Sequence, residues 1–320
     1  MSDPQDEAFR LDFRVRGGEL MASLPGHFQT TIEIAEYGTW LRVRSDEKLA
    51  MLVLTRHNGD LVERPVGLFR MRLDDRQLAE LRGAVESTGW TKLPRPSRGD
   101  VTASQLSIDY LRGGLLIRRD FNARSREFIV AIWPLMEQLN ALMGTLLTRP
   151  AGAIAVAVAS EPDPDDPGRR VSKLILSNPG SWPVVLTDPR VAKPAHVQRS
   201  RARILVALAP RETPGMMAVP PRWVSVELPA LAEGAPELQT LQAGGKLEIA
   251  VPWQAPGPGA YVMQGVWDDY AGPITPADDH LPIMPLRGDD EPAPTGAVYP
   301  VRGAAFSVYA SFVIEPPKQK

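Results

Sequence analysis

Of the 32 prolines in this 320-residue chain, seven fall within residues 1–150 and 25 after them. Proline lacks an amide hydrogen and has a fixed φ, so it is excluded from helix interiors and central strands and collects at turns and strand edges. A stretch this rich in proline cannot be built from long helices. The step in density therefore predicts two regions of different class that meet near Pro150. A chain of this length has room for about two average domains and can hide roughly three quarters of its unfolded surface, so each region can own a core.

The first region alternates and then changes period. Phe9, Leu11, Phe13 and Val15 alternate with polar residues up to Gly17-Gly18, as in a strand ending at a turn. Further extended runs are expected at 29–35, 39–44, 51–54 and 66–73. At Asp74 the period switches to helical. Asp74 with Gln77 has the form of a capping box, and Leu78, Leu81 and Val85 form one stripe that stops at Gly89, which predicts a helix over 75–88. Leu106, Ile108 and Tyr110 run into Gly113-Gly114 and return through Leu115 and Ile117, a hairpin over 104–121. Phe128, Ile132, Leu135, Leu139 and Leu142 predict a second helix over 126–147, with Pro134 either kinking it or opening its main segment. Residues 1–149 are thus expected to form an α+β domain, an antiparallel sheet with two helices on one face.

After Pro150 the apolar runs are short and separated by Pro, Gly and Asn. They include Ile154/Val156/Val158, Leu174/Leu176, Ile204/Val206/Leu208, Leu247/Ile249/Val251, Tyr261/Met263 and 306–314. About eight strands with turn signals between them predict an all-β immunoglobulin-like sandwich over 150–320. Gly259 and Tyr261 have the spacing of a tyrosine corner. Residues 268–304 are expected to be a long acidic, Pro-rich insertion, of the kind that is functional or disordered.

Two family resemblances rest on these patterns. The helix Leu78–Val85 with Gly89-Trp90 and Leu93-Pro94, the strand Leu106–Tyr110 and the closing Pro134-Leu135 with Leu139 resemble the emfourin-like family of small bacterial α+β domains. That family includes inhibitors of thermolysin-like metallopeptidases. Leu174-Ile175-Leu176-Ser177-Asn178 running into Pro183-Val184, Gly244-Gly245 before a strand that reaches Trp253, and Gly259-Ala260-Tyr261 are similar to the bacterial intracellular proteinase inhibitors, which are immunoglobulin-like sandwiches. These are scaffold and turn positions, so the resemblances imply a fold, and peptidase inhibition only through the families. No inhibitory residue carries over.

Composition removes much chemistry. With no Cys there is no disulfide, thiol nucleophile or Cys-based zinc site, and His27, His57, His196 and His280 lie too far apart for a local metal spacing. The phosphate-loop, dinucleotide and G-x-S-x-G patterns are missing from the sequence. A net charge of −2, made of +1 over residues 1–150 and −3 after them, argues against nucleic acid as a partner. The acidic N-terminus lacks the apolar segment of a secretory signal, and no run is long enough to span a bilayer, so the chain is expected to be cytoplasmic, without a membrane partner.

Binding remains. Trp40, Trp133, Trp223 and Trp253 lie in periodic segments and are expected in the core. Trp267 ends a strand at the entrance to the insertion and is followed by Asp268, Asp269 and Tyr270, with Asp278, Asp279 and His280 further on. These residues are the candidate protein-contact surface, with core packing of Trp267 as the alternative. The acidic groups are either a hard-cation site or a solvated loop. The expectation is a non-enzymatic protein-binding protein with no cofactor, its partner a peptidase or an assembly subunit. The alternatives are a structural subunit of a larger bacterial assembly, or a calcium binder, glycan binder or hydrolase using the 268–304 loop.

Overall fold

The structure, a computed structural model, describes residues 8–16, 39–55, 65–92, 105–122, 126–166, 169–191, 202–209, 223–269, 298–301 and 303–315. Among these, strand dominates and there are two α-helices. The first strands are β1 (Phe9–Arg16), β2 (Thr39–Arg44), β3 (Leu49–Leu54) and β4 (Val66–Arg72). Helix α1 (Asp75–Ser87), a short 3-10 turn at Trp90–Lys92, the hairpin β5 (Gln105–Arg112) and β6 (Leu115–Asn122), and α2 (Arg126–Leu146) follow. The expected capping box is present: the Asp74 carboxylate accepts from Gln77 N at 2.7 Å, and the Gln77 side chain accepts from Asp74 N at 3.0 Å. Gly113 and Gly114 both have positive φ, as a primed two-residue turn requires. Pro134 lies inside α2. The strand expected at 29–35 lies outside the described residues.

The second region supplies β7 (Pro150–Pro162), β8 (Arg169–Ser177), β9 (Val184–Thr187), β10 (Ala202–Leu208), β11 (Val224–Val226), β12 (Leu238–Leu241), β13 (Lys246–Gln254), β14 (Gly259–Asp269), β15 (Tyr299–Pro300), β16 (Gly303–Phe306) and β17 (Ala310–Ile314). Residues 268–304 are therefore not one uninterrupted loop: β14 extends through Asp269, and chain after 298 returns to strand. Pro150 begins a strand. Its first half pairs with β4 and its second half with β8, which makes one nine-stranded sheet in the order β13-β8-β7-β4-β3-β2-β1-β5-β6. A five-stranded sheet holds β11-β10-β14-β16 with β17 also on β14, and a small sheet holds β12-β9-β15. Among the described residues all pairings are antiparallel except β9 with β15.

Two cores lie on opposite faces of the nine-stranded sheet. On one face Leu41, Val43, Leu52, Phe69 and Met71 meet Leu78, Leu81 and Val85 of α1 and Leu135, Leu139 and Met143 of α2. On the other, Leu49, Met51, Val66 and Leu68 join Trp182, Met263, Trp267 and Tyr299. Strands β3 and β4 are buried on both sides, which explains why Leu49–Leu54 is apolar at every position instead of alternating. The layers are held close by glycine. A Cβ on Gly303 of β16 would lie 2.1 Å from the Thr55 carbonyl oxygen, and within the nine-stranded sheet one on Gly67 of β4 would lie 2.4 Å from the Gly152 carbonyl oxygen of β7.

The Asn178 side chain, fully buried, closes one end of the second core. Its amide donates to the carbonyls of Trp182, Leu241 and Gln242 at 2.7, 3.1 and 3.2 Å, and its oxygen accepts from Gly180 N at 2.9 Å. Its main chain pairs with Gly244 and Gly245. One residue thus ties the end of β8 to the turn between β12 and β13.

Candidate functional site

Trp267 has no exposed surface. It lies opposite Ala202 of β10 on one side and Ala305 of β16 on the other, in the middle of a sheet and not at a free strand end. Asp269 is also buried, and its carboxylate accepts from Thr187 N at 3.3 Å. Asp268 is half-buried. Trp267 and Asp269 are consequently core residues, which corrects their place in the expected contact surface and leaves Trp267 with the core alternative. Tyr270, Asp278, Asp279 and His280 lie outside the described residues, as do the other three histidines. Among the described residues no group of three or more His, Asp or Glu could hold a metal ion.

The tryptophans exchange roles. Trp90, Trp182 and Trp267 are the largest fully buried side chains, whereas Trp223, expected in the core, is half-buried on the outside of the five-stranded sheet. Tyr261, by contrast, makes the corner its spacing suggests: its hydroxyl donates to Gly257 O at 2.7 Å.

Trp223 stacks on Tyr309 with ring centroids 5.8 Å apart and planes 14° apart. The register explains how they meet. Trp223 precedes Val224 on edge strand β11, and Tyr309 precedes Ala310 on β17, while Val224, Val206, Met263 and Ala310 form one row across the sheet. Alternation turns Val206 and Met263 into the core and the two rings outwards, over β10 and β14. Ala207 and Gln264 are buried beneath that outer side, and the Gln264 amide donates to Ser307 O at 3.2 Å. Tyr309 is 57% exposed, Val308 45% and Val313 66%. Isolated exposed apolar residues are ordinary, but an aromatic pair beside exposed aliphatics is the composition of a protein contact. The signal in the sequence was Pro220-Pro221 just ahead of Trp223, which marks an edge position.

A second polar feature crosses the nine-stranded sheet on the face away from the helices. Arg42, Asp12, Asp109 and Arg118 are aligned on β2, β1, β5 and β6. Two carboxylates directly opposite would repel, and each is matched by its outer neighbour. Arg42 Nε donates to Asp12 at 2.5 Å, and Arg118 donates to both Asp109 oxygens at 2.9 and 2.7 Å. Arg10 and the Trp40 indole add to Asp12, and the Arg14 and Arg42 guanidiniums lie over the Trp40 ring at 4.5 and 4.7 Å. Both acids are committed to ion pairs that fix the sheet, so this row is structural and offers no acid–base pair.

No family model matches the chain, and none of the curated proteins does. Among solved structures it is similar to MHC-like MILL2 at 14% identity, over 81% of this chain and 95% of that one, with a TM-score of 0.16. A likeness that slight carries no argument. No helix among the described residues is long and apolar enough to cross a membrane.

Proposed function

We propose that the chain is a non-enzymatic protein-binding protein and that its contact surface is the outer side of the five-stranded sheet around Trp223 and Tyr309. The observation that carries this reading is the stacked pair on the outer side of the sheet, with Val308 and Val313 exposed beside it. Large rigid aromatics on a sheet contribute contact area at little entropic cost, and burying them against a partner removes apolar surface from water. In this reading residues 1–149 are the α+β part and the remainder the immunoglobulin-like sandwich, and the partner is a peptidase or a subunit of a larger assembly. The resemblances to two inhibitor families support the peptidase version.

A photo-crosslinking residue at position 309, with the same residue at the exposed position 76 of α1 as control, tests the surface. In native extract, a discrete protein adduct at 309 that is missing at 76, and lost on Trp223→Ala, is expected. Equal labelling at both positions would refute the surface. Inhibition of neutral metallo- or serine peptidases at micromolar protein then decides between the two partner classes.

A further inference from the structure

We propose that the chain self-associates through the outer edge of β6, so that two copies join their nine-stranded sheets across a two-fold axis at Arg119. This surface is separate from the Trp223–Tyr309 pair, and neither depends on the other.

Among the described residues β6 ends the sheet and pairs with β5 alone. Residues flanking a two-residue turn bond to each other, so Leu115, Ile117, Arg119 and Phe121 direct their backbone groups to β5. Leu116, Arg118, Asp120 and Asn122 direct theirs outwards, a template for another strand. The opposite edge, β13, carries Pro252 and Lys246, which discourage strand addition. β6 carries neither, and Leu115 and Leu116 at its start are exposed.

The side chains select the partner and the register. A two-fold axis perpendicular to the sheet keeps each face on its own side, so residues of equal parity must pair. Two such registers overlap nearly the whole strand. Both set one arginine opposite its own copy, and the register centred on Arg118 adds no pair of opposite charge. The other places Arg118 opposite Asp120 of the second copy, and by symmetry Asp120 opposite Arg118, two complementary pairs. In that register residues 116 to 122 pair throughout, with about eight backbone hydrogen bonds between copies. Arg118 keeps its own Asp109, completing a chain of alternating charge from one sheet to the next. The two Arg119 side chains meet at the axis on the helix face, where each guanidinium is tied to the Thr91 carbonyl at 2.8 Å.

Because the natural chain contains no cysteine, the test is specific. In the full chain carrying Arg119→Cys, a disulfide can form only between copies. Residue 119 would face its counterpart in a non-hydrogen-bonded pair with Cα atoms about 4.5 Å apart, within disulfide reach. The expected results are a dimer of the wild-type chain by sedimentation at micromolar concentration and dissociation to monomer on Asp120→Arg. The Arg119→Cys chain is expected to crosslink at least tenfold faster than a control chain carrying Arg76→Cys instead. A wild-type monomer, a dimer unaffected by Asp120→Arg, or an Arg119→Cys chain that links no faster than the Arg76→Cys control would each overturn the proposal. The first two readouts do not depend on how the cysteine variant folds.

Discussion

Gly303 shows how one missing side chain lets two layers meet. Its φ of +145° is a conformation L-residues rarely adopt, and the Thr55 carbonyl occupies the space of a Cβ. Thr55 O also accepts from Ala304 N at 2.8 Å, so the contact cannot simply widen. Gly303→Ala combines backbone strain with overpacking and is expected to cost about 2–5 kcal/mol, read as a fall in the chemical denaturation midpoint. Asp188 provides a pH-dependent counterpart. Burial pushes its carboxyl up, but bonds from the Arg190 side chain and amide and from Gln239 outweigh burial and hold it below the ordinary value of 3.8. A folded value below the unfolded one means a contribution present above about pH 4 and lost as pH falls through the folded value. Asp188→Asn should lower stability at pH 7 by about 1.5–3 kcal/mol and flatten the acid limb of the stability–pH curve. An unchanged acid limb would show that Asp188 does not carry it.

At the scale of elements, local chemistry was the legible part. The Asp74–Gln77 box and the stripe Leu78, Leu81, Val85 define α1 within a residue of where its sequence places it, and Gly113-Gly114 defines the β5–β6 turn. Asp74→Ala should therefore cost about 1 kcal/mol through loss of the cap. Gly144→Ala, in α2 with open space at its Cβ, should add about 0.5–1 kcal/mol. Thermal denaturation of both variants checks the opposite signs. What local pattern did not show is which strand ends are interior. Trp267 looked terminal because Pro-rich, acidic sequence follows it, yet β10 and β16 flank it. Trp223 looked internal because Val224 and Val226 alternate, yet β11 is a three-residue edge. Periodicity assigns a side chain to a face of its own sheet, whereas exposure depends on what long-range pairing places beside and above that face. The burial of Trp267 and the outward position of Trp223 both follow from that pairing.

Across the whole molecule, the proline step marks a change of composition but not a break in the sheet. β7 starts at Pro150 against β4 and finishes against β8, and Leu49, Met51, Val66 and Leu68 of the first region lie in the core of the second. Separating the regions would expose the back of β3 and β4 and strip β4 of its pairing with β7, so neither core can open without disturbing the other. Unfolding of the full chain should then be a single transition. Leu139→Ala in the helical core and Met263→Ala in the second core, both fully buried, should each cost about 2–5 kcal/mol. Helical circular dichroism and tryptophan fluorescence should report the same lowered midpoint for each variant, because the strand shared by both halves couples them. Two separated midpoints, with Leu139→Ala moving only the helical signal and Met263→Ala only the other, would show that the continuous sheet does not transmit stability and that the halves fold as independent units.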